Sequence, residues 1–476
     1  MRTRVEWTSR QERERIVEAA LELLERVGMR FGPSEALEVL GEAGARIDRE
    51  AGEAFIPANL VRDALRRCPR RVVLGGMTPE HDCVLDEGAM HFTNSGSPTE
   101  TLDMETGERR LGTAADLRLG TTVLDAMPSV DIVWDLCGAS DVPERRRLFE
   151  ELAIMLQHTR KHVQHEIETR SQVPALTAIS QVAGGDLRTR PRISLVCCTA
   201  SPLLAHGELL DASTDMAALG MPVVVYPMPI AGATAPLTVA GTVTMNVAEF
   251  LGAATAIQLR APGAPLIMGA GTALLDMHQT TYSFGALETG LMAATCVEVA
   301  HHLGVPCLAP ALGTDAKYPG IQAAYEKALK GLTVASATPD LMTGGIGQLQ
   351  GAGLMSIPQI VIDDEIAQMI GRILDGVEVS DATIQLDMME RIGHAGDYLK
   401  EKDTRRRLRS GEIFLPTVAD RRSWQHWKDA GRDELAVARE RVKEIVAAAE
   451  ERGPLLSEAQ LRELADCVDA GERAAG

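Results

Sequence analysis

Aromatic side chains make up only 3% of this chain: seven Phe, five Tyr and four Trp among 476 residues. A core built on ring packing is excluded, so each ring is worth locating individually. Long apolar runs are missing too, and no stretch approaches the roughly 20 apolar residues that a membrane span needs. Met1–Arg15 is charged throughout and has no apolar centre of the kind a secretory leader carries. The eight cysteines lie singly or in apolar runs, with one adjacent pair, Cys197-Cys198. Neighbours on a strand point to opposite faces, and no Cys-x-x-Cys spacing occurs, so neither a disulfide framework nor a metal centre is expected. Free, mostly buried thiols predict a cytoplasmic protein. Positive charge is in deficit, with 48 Lys and Arg against 67 Asp and Glu and a net charge of −19. Phosphate would be repelled, so no nucleic-acid partner is expected. The one basic cluster, Arg405-Arg406-Arg407 with Arg409, is diluted by acidic neighbours and reads as solvated surface.

What is present is a rhythm. Eight short apolar runs recur: Asp131–Leu136, His162–Glu166, Ile193–Cys198, Pro222–Met228, Pro265–Ala270, Pro306–Leu312, Asp340–Gly345 and Pro358–Asp364. Most end in Gly, Pro and polar residues, and most intervals can hold a helix. Strand, loop and helix repeated in this way predict an α/β protein, a parallel (β/α)8 TIM barrel whose chemistry sits where strands end in loops. The interval between the last two runs is the weak point, because it allows a short helix at most.

The flanks read differently. Gln11–Val27, Ser34–Ala43 and Pro57–Arg66 carry helical spacing and predict a small helical front. Arg71–Leu74, Cys83–Leu85 and Met90–Thr93 are β-like, and Asp103–Glu108 reads as a hairpin turn. Thr113, with Asp116 three residues on, should cap a helix that leads into the barrel. Polar amphipathic helices follow the barrel, at Asp420–Gly431, Asp433–Arg452 and Ser457–Asp469, and Gly471–Gly476 reads as a frayed end. The expected division is an appendage over residues 1–112, a barrel over 113–375 and a helical extension over 376–476, with the acidic C-terminal helices offering a homo-oligomer contact.

Chemistry is sought at the run ends. In MPVVVYPMPIAGATAPLTVAG (221–241), Tyr226, Met228 and the Pro229–Pro236 loop should line the barrel mouth on a stiff backbone. Asn246 and Glu249, farther on, are expected to face a neighbouring helix. In APALGTDAKYPGIQAAYEKAL (309–329), Asp315 and Lys317 stand at a strand end, where an acid, a base or an ion pair belongs. The plain alternative is that Asp315 caps a helix and Lys317 is solvated. Gly344, Gly345 and Gly347 open a Gly-rich loop that matches neither a P-loop nor a dinucleotide fingerprint; its missing side chains leave room for a bulky flat cofactor. His158, His162 and His165 lack the further ligands zinc would need and read as structural, and His301-His302 reads as surface. Phe92, Tyr226, Tyr282 and Phe284 fall at strand ends or in the following loops, where aromatic faces would hold a quaternary ammonium at roughly 2 kcal/mol per desolvated contact.

At these segments the chain resembles the trimethylamine methyltransferase family. The resemblance rests on PMPIAGATAPLTVAG, ALGTDAKYPGIQAAYEKAL, TGGIGQLQGAGLMSIPQIVIDDE and GHAGDYLKEKDTRRRLRSGEIFLPTVADRRSWQHWKDAG, in that order, and runs from the helical front to about residue 450. It implies a (β/α)8 barrel that moves a methyl group from a methylated amine to the cobalt of a separate corrinoid protein, with no tightly bound cofactor of its own. Archaeal trimethylamine enzymes of the family carry pyrrolysine in the barrel. This chain has no such residue, and Lys317 stands near the expected position. The resemblance is therefore closer to the branch that includes glycine betaine methyltransferases.

A quaternary nitrogen leaves as a neutral amine once its methyl departs, whereas a tertiary amine must first be protonated. A betaine pocket thus needs aromatic faces, a nearby carboxylate and donors for the substrate carboxylate, but no strong acid. The expected assignment puts Tyr226, Phe284 and Phe92 around the trimethylammonium and Asp315 as added negative potential. Lys317, Gln348 or Asn94 would then meet the carboxylate. Alternatives are demethylation of a tertiary methylamine, a barrel lyase with Lys317 as Schiff-base amine, and a betaine-binding protein that has lost methyl transfer.

Overall fold

The computed structural model describes residues 3–86, 88–96 and 98–475. Its centre is a closed barrel of parallel strands: β1 (His91–Asn94), β2 (Ile132–Trp134), β3 (His162–Glu166), β4 (Ile193–Ala200), β5 (Val223–Tyr226), β6 (Leu266–Gly269), β7 (Cys307–Pro310) and β8 (Leu341–Ile346). Each strand pairs with the next, and β8 returns to β1 through Leu341 opposite His91 and Met342 opposite Phe92. The TIM-barrel fold expected from the run spacing is present.

The eighth strand is not where the spacing put it. Pro358–Asp364 lies within the helix Ile357–Leu374. The missing strand is β1, inside the segment expected as an appendage. A short apolar run of a buried helix looks like one of a buried strand, and only length separates them. The run continues to Leu374 with Ile360, Ala367, Ile370 and Leu374 buried at helical spacing.

Alternation along the strands sorts side chains into two compartments. Val133, Leu195, Val225, Met268 and Met342 point outward into the layer between barrel and helices. Ile132, Trp134, Val196, Val224, Ile267, Leu308 and Leu341 point inward. The inner cluster also contains Val72, Leu74, Cys83 and Leu85, from an antiparallel hairpin (Val72–Leu74 with Cys83–Leu85) that closes the barrel floor. Its turn is tied to the chain just ahead of β3 and β4, through Met77 N–H to Arg160 O and Gly75 N–H to Pro191 O.

The flanks wrap this core. The helix Arg10–Arg26, capped by Ser9 and Glu12 as a capping box, packs on the helix Val239–Arg260. The front is not purely helical: Met29–Phe31 pairs antiparallel with Glu53–Phe55 and parallel with Leu204–Ala205, the strand that follows β4. Thr113 caps the helix Ala114–Ala126 together with Asp116, as the motif predicts. At the far end, the helix Glu434–Arg452 lies against Ala114–Ala126 and Ile357–Leu374. The helix Glu458–Ala474 lies against the helices Glu144–His158 and Val173–Val182. The expected fray at Gly471 is instead helix, because Gly471 packs on the buried ring of Phe149 and a Cβ there would stand 2.8 Å from it.

Candidate functional site

The open end of the barrel carries an aromatic pair. Trp134 ends β2 and Tyr226 ends β5, and both point inward. Their rings meet edge to face, with centroids 6.5 Å apart and planes at 90°, the arrangement that suits their quadrupoles. The backbone makes room for both. A Cβ on Gly269 of β6 would overlap the Tyr226 ring, and one on Gly96 would overlap the Trp134 indole. Burial and the neighbouring Tyr282 hold the Tyr226 phenol well above its ordinary pKa, so it stays neutral.

A second stacked pair stands beside the first. The loop after β6 forms a small hairpin (Ala273–Asp276 with Thr281–Ser283). Tyr282, in its second strand, and Phe284, just past it, stack at 5.9 Å and 28°. Asp315 holds this loop, because its carboxylate accepts from Ser283 Oγ at 2.5 Å and from Phe284 N–H at 2.8 Å. Glu326 supports Asp315 in turn, accepting from Thr314 Oγ at 2.5 Å and Asp315 N–H at 2.8 Å. Beneath the ring, the ammonium of Lys330 donates to Phe284 O at 2.6 Å and lies 3.9 Å from the ring centroid. Burial lowers Lys330 to about 7 despite Asp315 and Glu326. One turn earlier, fully buried Lys327 pairs with Asp363 at 2.7 Å.

These contacts sort the expected site residues. Tyr226, Tyr282, Phe284 and Asp315 share the rim: Tyr282 and Asp315 both flank Gly351, and Tyr282 is close enough to Tyr226 to shift its phenol. Met228 lies nearby but is 44% exposed. Phe92 is buried in the outer layer rather than at the mouth. Asn94 bridges β1 and β2, donating to Trp134 O at 2.6 Å and accepting from Trp134 N–H at 2.8 Å. Gln348 donates to Ser95 O at 3.0 Å, and its buried Oε1 has no partner among the described residues.

Lys317 is exposed, with its ammonium on its own loop at Asp315 O, 2.6 Å away. A Schiff-base lysine needs a dry pocket, and Lys317 does not lie in one. The space beside the glycines is taken by protein: Pro310 and Phe284 at Gly344, Leu312 at Gly345, and Ile360 at Gly347. Gly345 has φ +153°, a backbone position other residues rarely adopt.

Other expectations need correction. Glu249 faces the end of β4, accepting from Ser201 Oγ and Leu203 N–H at 3.0 Å, and Asn246 donates to Gly269 O at 3.0 Å; neither serves a neighbouring helix. His301 is not a surface group, because its ring bonds Asp340 at 2.9 Å. His162 sits inside the barrel floor between Gly75 O and Ser194 Oγ, and His165 bonds Leu148 O, both in structural roles.

The structure also adds residues that the sequence reading passed over. Gln164 and Glu166 share the inward face of β3; Gln164 stands in register with Trp134, and Glu166 is half-buried at the strand end. Both polar atoms of the Gln164 side chain, with Thr93 Oγ1 and Trp134 Nε1, are buried without a hydrogen-bond partner among the described residues. Behind Glu166, Glu151 accepts from Ala139 N–H at 2.7 Å. Burial raises Glu151 to about 7, the Ala139 N–H and Arg147 pull it down, and Glu166 and Glu168 add to the rise. The position of Glu166 as the last residue of its run, and the rarity of tryptophan, were the available signals.

Comparison with known proteins agrees with the barrel. The family model described as trimethylamine methyltransferase (MTTB) matches residues 2–476. The trimethylamine methyltransferase MttB of Desulfitobacterium hafniense is 32% identical over 416 residues, covering 87% of this chain and 83% of the relative. The glycine betaine methyltransferase of the same species is 24% identical, covering 91% of each. Among solved structures, the monomethylamine methyltransferase of Methanosarcina barkeri superposes with a TM-score of 0.54 at 12% identity, over 92% of this chain and 88% of that one. The chain is a barrel methyltransferase that belongs to the trimethylamine methyltransferase family.

Proposed function

We propose that this protein takes a methyl group from a small quaternary ammonium of the glycine betaine type and delivers it to the Co(I) of a corrinoid carried by a separate protein. The observation that carries this reading is the pair of aromatic contacts at the barrel mouth, Trp134–Tyr226 and Tyr282–Phe284, with the inward-facing carboxylate-bearing Glu166 at the end of β3. A permanent cation with no proton to donate is held by ring faces and a carboxylate.

The chain's own work is binding and orientation. The edge-to-face pair presents ring surface to the trimethylammonium, and Glu166 supplies a countercharge. Asp315 keeps the Tyr282–Phe284 loop in place, and Gln348, with its amide at the end of β1, lies within the set that orients the substrate's polar end. The docked corrinoid supplies the nucleophile, and the departing amine needs no acid because it leaves neutral. Exposed apolar side chains on the loops around the mouth, Met228, Leu237, Met277 and Tyr318, fit cover by a partner carrying a broad, flat group.

The test is turnover with reduced corrinoid under anaerobic conditions, with glycine betaine and trimethylamine offered separately. Dimethylglycine from betaine, with loss of the Co(I) absorbance, supports the proposal. Dimethylamine from trimethylamine alone shifts the substrate to a tertiary amine, the reading suggested by the 32% identical relative's name. Betaine binding without any demethylated product identifies a homologue that has lost transfer.

A further inference from the structure

Three side chains meet at the barrel floor, at the end away from the aromatic rim. Cys83 opens the second strand of the closing hairpin, His91 opens β1, and Asp131 stands one residue ahead of β2. The Cys83 sulfur, a His91 ring nitrogen and an Asp131 carboxylate oxygen all lie within 4.8 Å of one another, the one such group of three found among the described residues. The sequence hides this trio because its members come from three separate elements with no motif spacing.

The surroundings orient each member. Phe92 N–H donates to Asp131 Oδ2 at 3.0 Å, and His91 Nδ1 lies 3.5 Å from the same oxygen. On the other side of the ring, Nε2 lies 3.4 Å from Val84 O. With Nε2 directing its proton at that carbonyl, Nδ1 is the nitrogen left to bind an ion once its own proton is displaced, the arrangement a metal-binding histidine uses with a backbone acceptor behind it. Cys83 Sγ approaches Asp131 O at 3.7 Å.

We infer that Cys83, His91 and Asp131 bind a divalent transition-metal ion, with zinc the best fit and a solvent molecule as fourth ligand. Sulfur, imidazole and carboxylate donors together suit zinc, whereas magnesium and calcium take oxygen alone. Metal–ligand bonds of about 2.0–2.3 Å in tetrahedral geometry place ligand atoms roughly 3.5 Å apart, so the trio need close by only about 1 Å. Binding releases two protons to solvent, one from the Cys83 thiol and one from His91 Nδ1, which faces Asp131 in the free site, and the thiolate and carboxylate charges match the ion's. The Asp131 side chain is 36% exposed, which opens a path from solvent. Far from the rim, the ion clips the closing hairpin to the first two strands and takes no part in methyl transfer.

The rival arrangement is a plain His91–Asp131 ion pair with a protonated thiol, which takes up no metal. The full-length protein, stripped with chelator, is titrated with Co(II) and then Zn(II). The expected result is stoichiometric Co(II) uptake with a thiolate charge-transfer band in the near ultraviolet, displaced by Zn(II). Cys83→Ser should remove the band and weaken affinity by roughly 100-fold or more, while Cys467→Ser on the terminal helix keeps both. Asp131→Asn, at a partly exposed position, should weaken affinity similarly and covers the case in which Cys83→Ser misfolds. Absence of stoichiometric uptake, or a band that survives Cys83→Ser in folded protein, overturns the assignment.

Discussion

The indole of Trp134 and the phenol ring of Tyr226 stand perpendicular, 6.5 Å between centroids, at the ends of two strands separated by two others around the barrel. Each ring presents surface to the interior from a rigid strand rather than from a loop. If these faces hold the cation, Trp134→Leu should weaken glycine betaine binding about 30-fold, the equivalent of about 2 kcal/mol. Phe92→Leu, in the outer layer, should leave affinity within about twofold. Calorimetric titration of both variants decides the matter, and equal affinity for the wild type and Trp134→Leu would remove the aromatic site.

Gly269 makes a separate prediction, because a methyl group there overlaps the Tyr226 ring. Gly269→Ala should displace the ring, cost about 1–3 kcal/mol in stability through overpacking, and lower substrate affinity as well. Gly371→Ala is the opposite control: it lies in the last turn of the helix Ile357–Leu374 with open space around it, and should be neutral or stabilise by up to about 1 kcal/mol. Denaturant titration of the two variants should move in opposite directions.

Glu151 gives a pH dependence with a defined sign. Its folded-state pKa of about 7 lies above the ordinary 4.5. The folded protein therefore holds this proton more tightly than the unfolded chain. The resulting stabilisation is complete below pH 4.5 and is lost as pH rises through about 7, amounting to roughly 3 kcal/mol. Glu151→Gln keeps an acceptor for Ala139 N–H and removes the titration. Unfolding free energies at pH 5 and pH 8 should fall more for the wild type than for the variant, and parallel losses would refute the assignment.

Lys327 and Asp363 form a pair with no solvent exposure on either side chain. Asp363→Ala leaves an uncompensated ammonium in the core and should cost about 3–5 kcal/mol. Adding Lys327→Met should recover most of that loss. Urea denaturation of the single and double variants measures the coupling; a double variant no better than the single would mean that Asp363 acts through Gly347 N–H and Gln359 instead.

The barrel was legible because parallel strands buried on both faces leave apolar runs at near-regular spacing. Its seam was not. β1 reads His-Phe-Thr-Asn, recognisable as β-like but too polar and too far ahead of the repeat to be counted with the barrel, while Pro358–Asp364 is as apolar as any strand but continues as helix. The make-up of the rim was partly legible. Tyr226, Tyr282, Phe284 and Asp315 were found by their places at run ends, and Trp134 and Glu166 lay unremarked at the same kind of position. Lys327 and Lys330 were invisible, since lysines one turn apart on a helix ordinarily read as a solvated face. Their burial depends on partners from other segments, Asp363 and the Phe284 carbonyl. The same limit hid Cys83, His91 and Asp131.

The hairpin that stoppers one end of the cylinder leaves the opposite, aromatic-lined end as the approach to its interior. On the proposed function, the amine would enter before the corrinoid carrier seats, and the demethylated product would wait until the carrier lifts away. Such a reaction would run in compulsory order, and excess carrier would slow turnover by sealing empty or product-filled chambers.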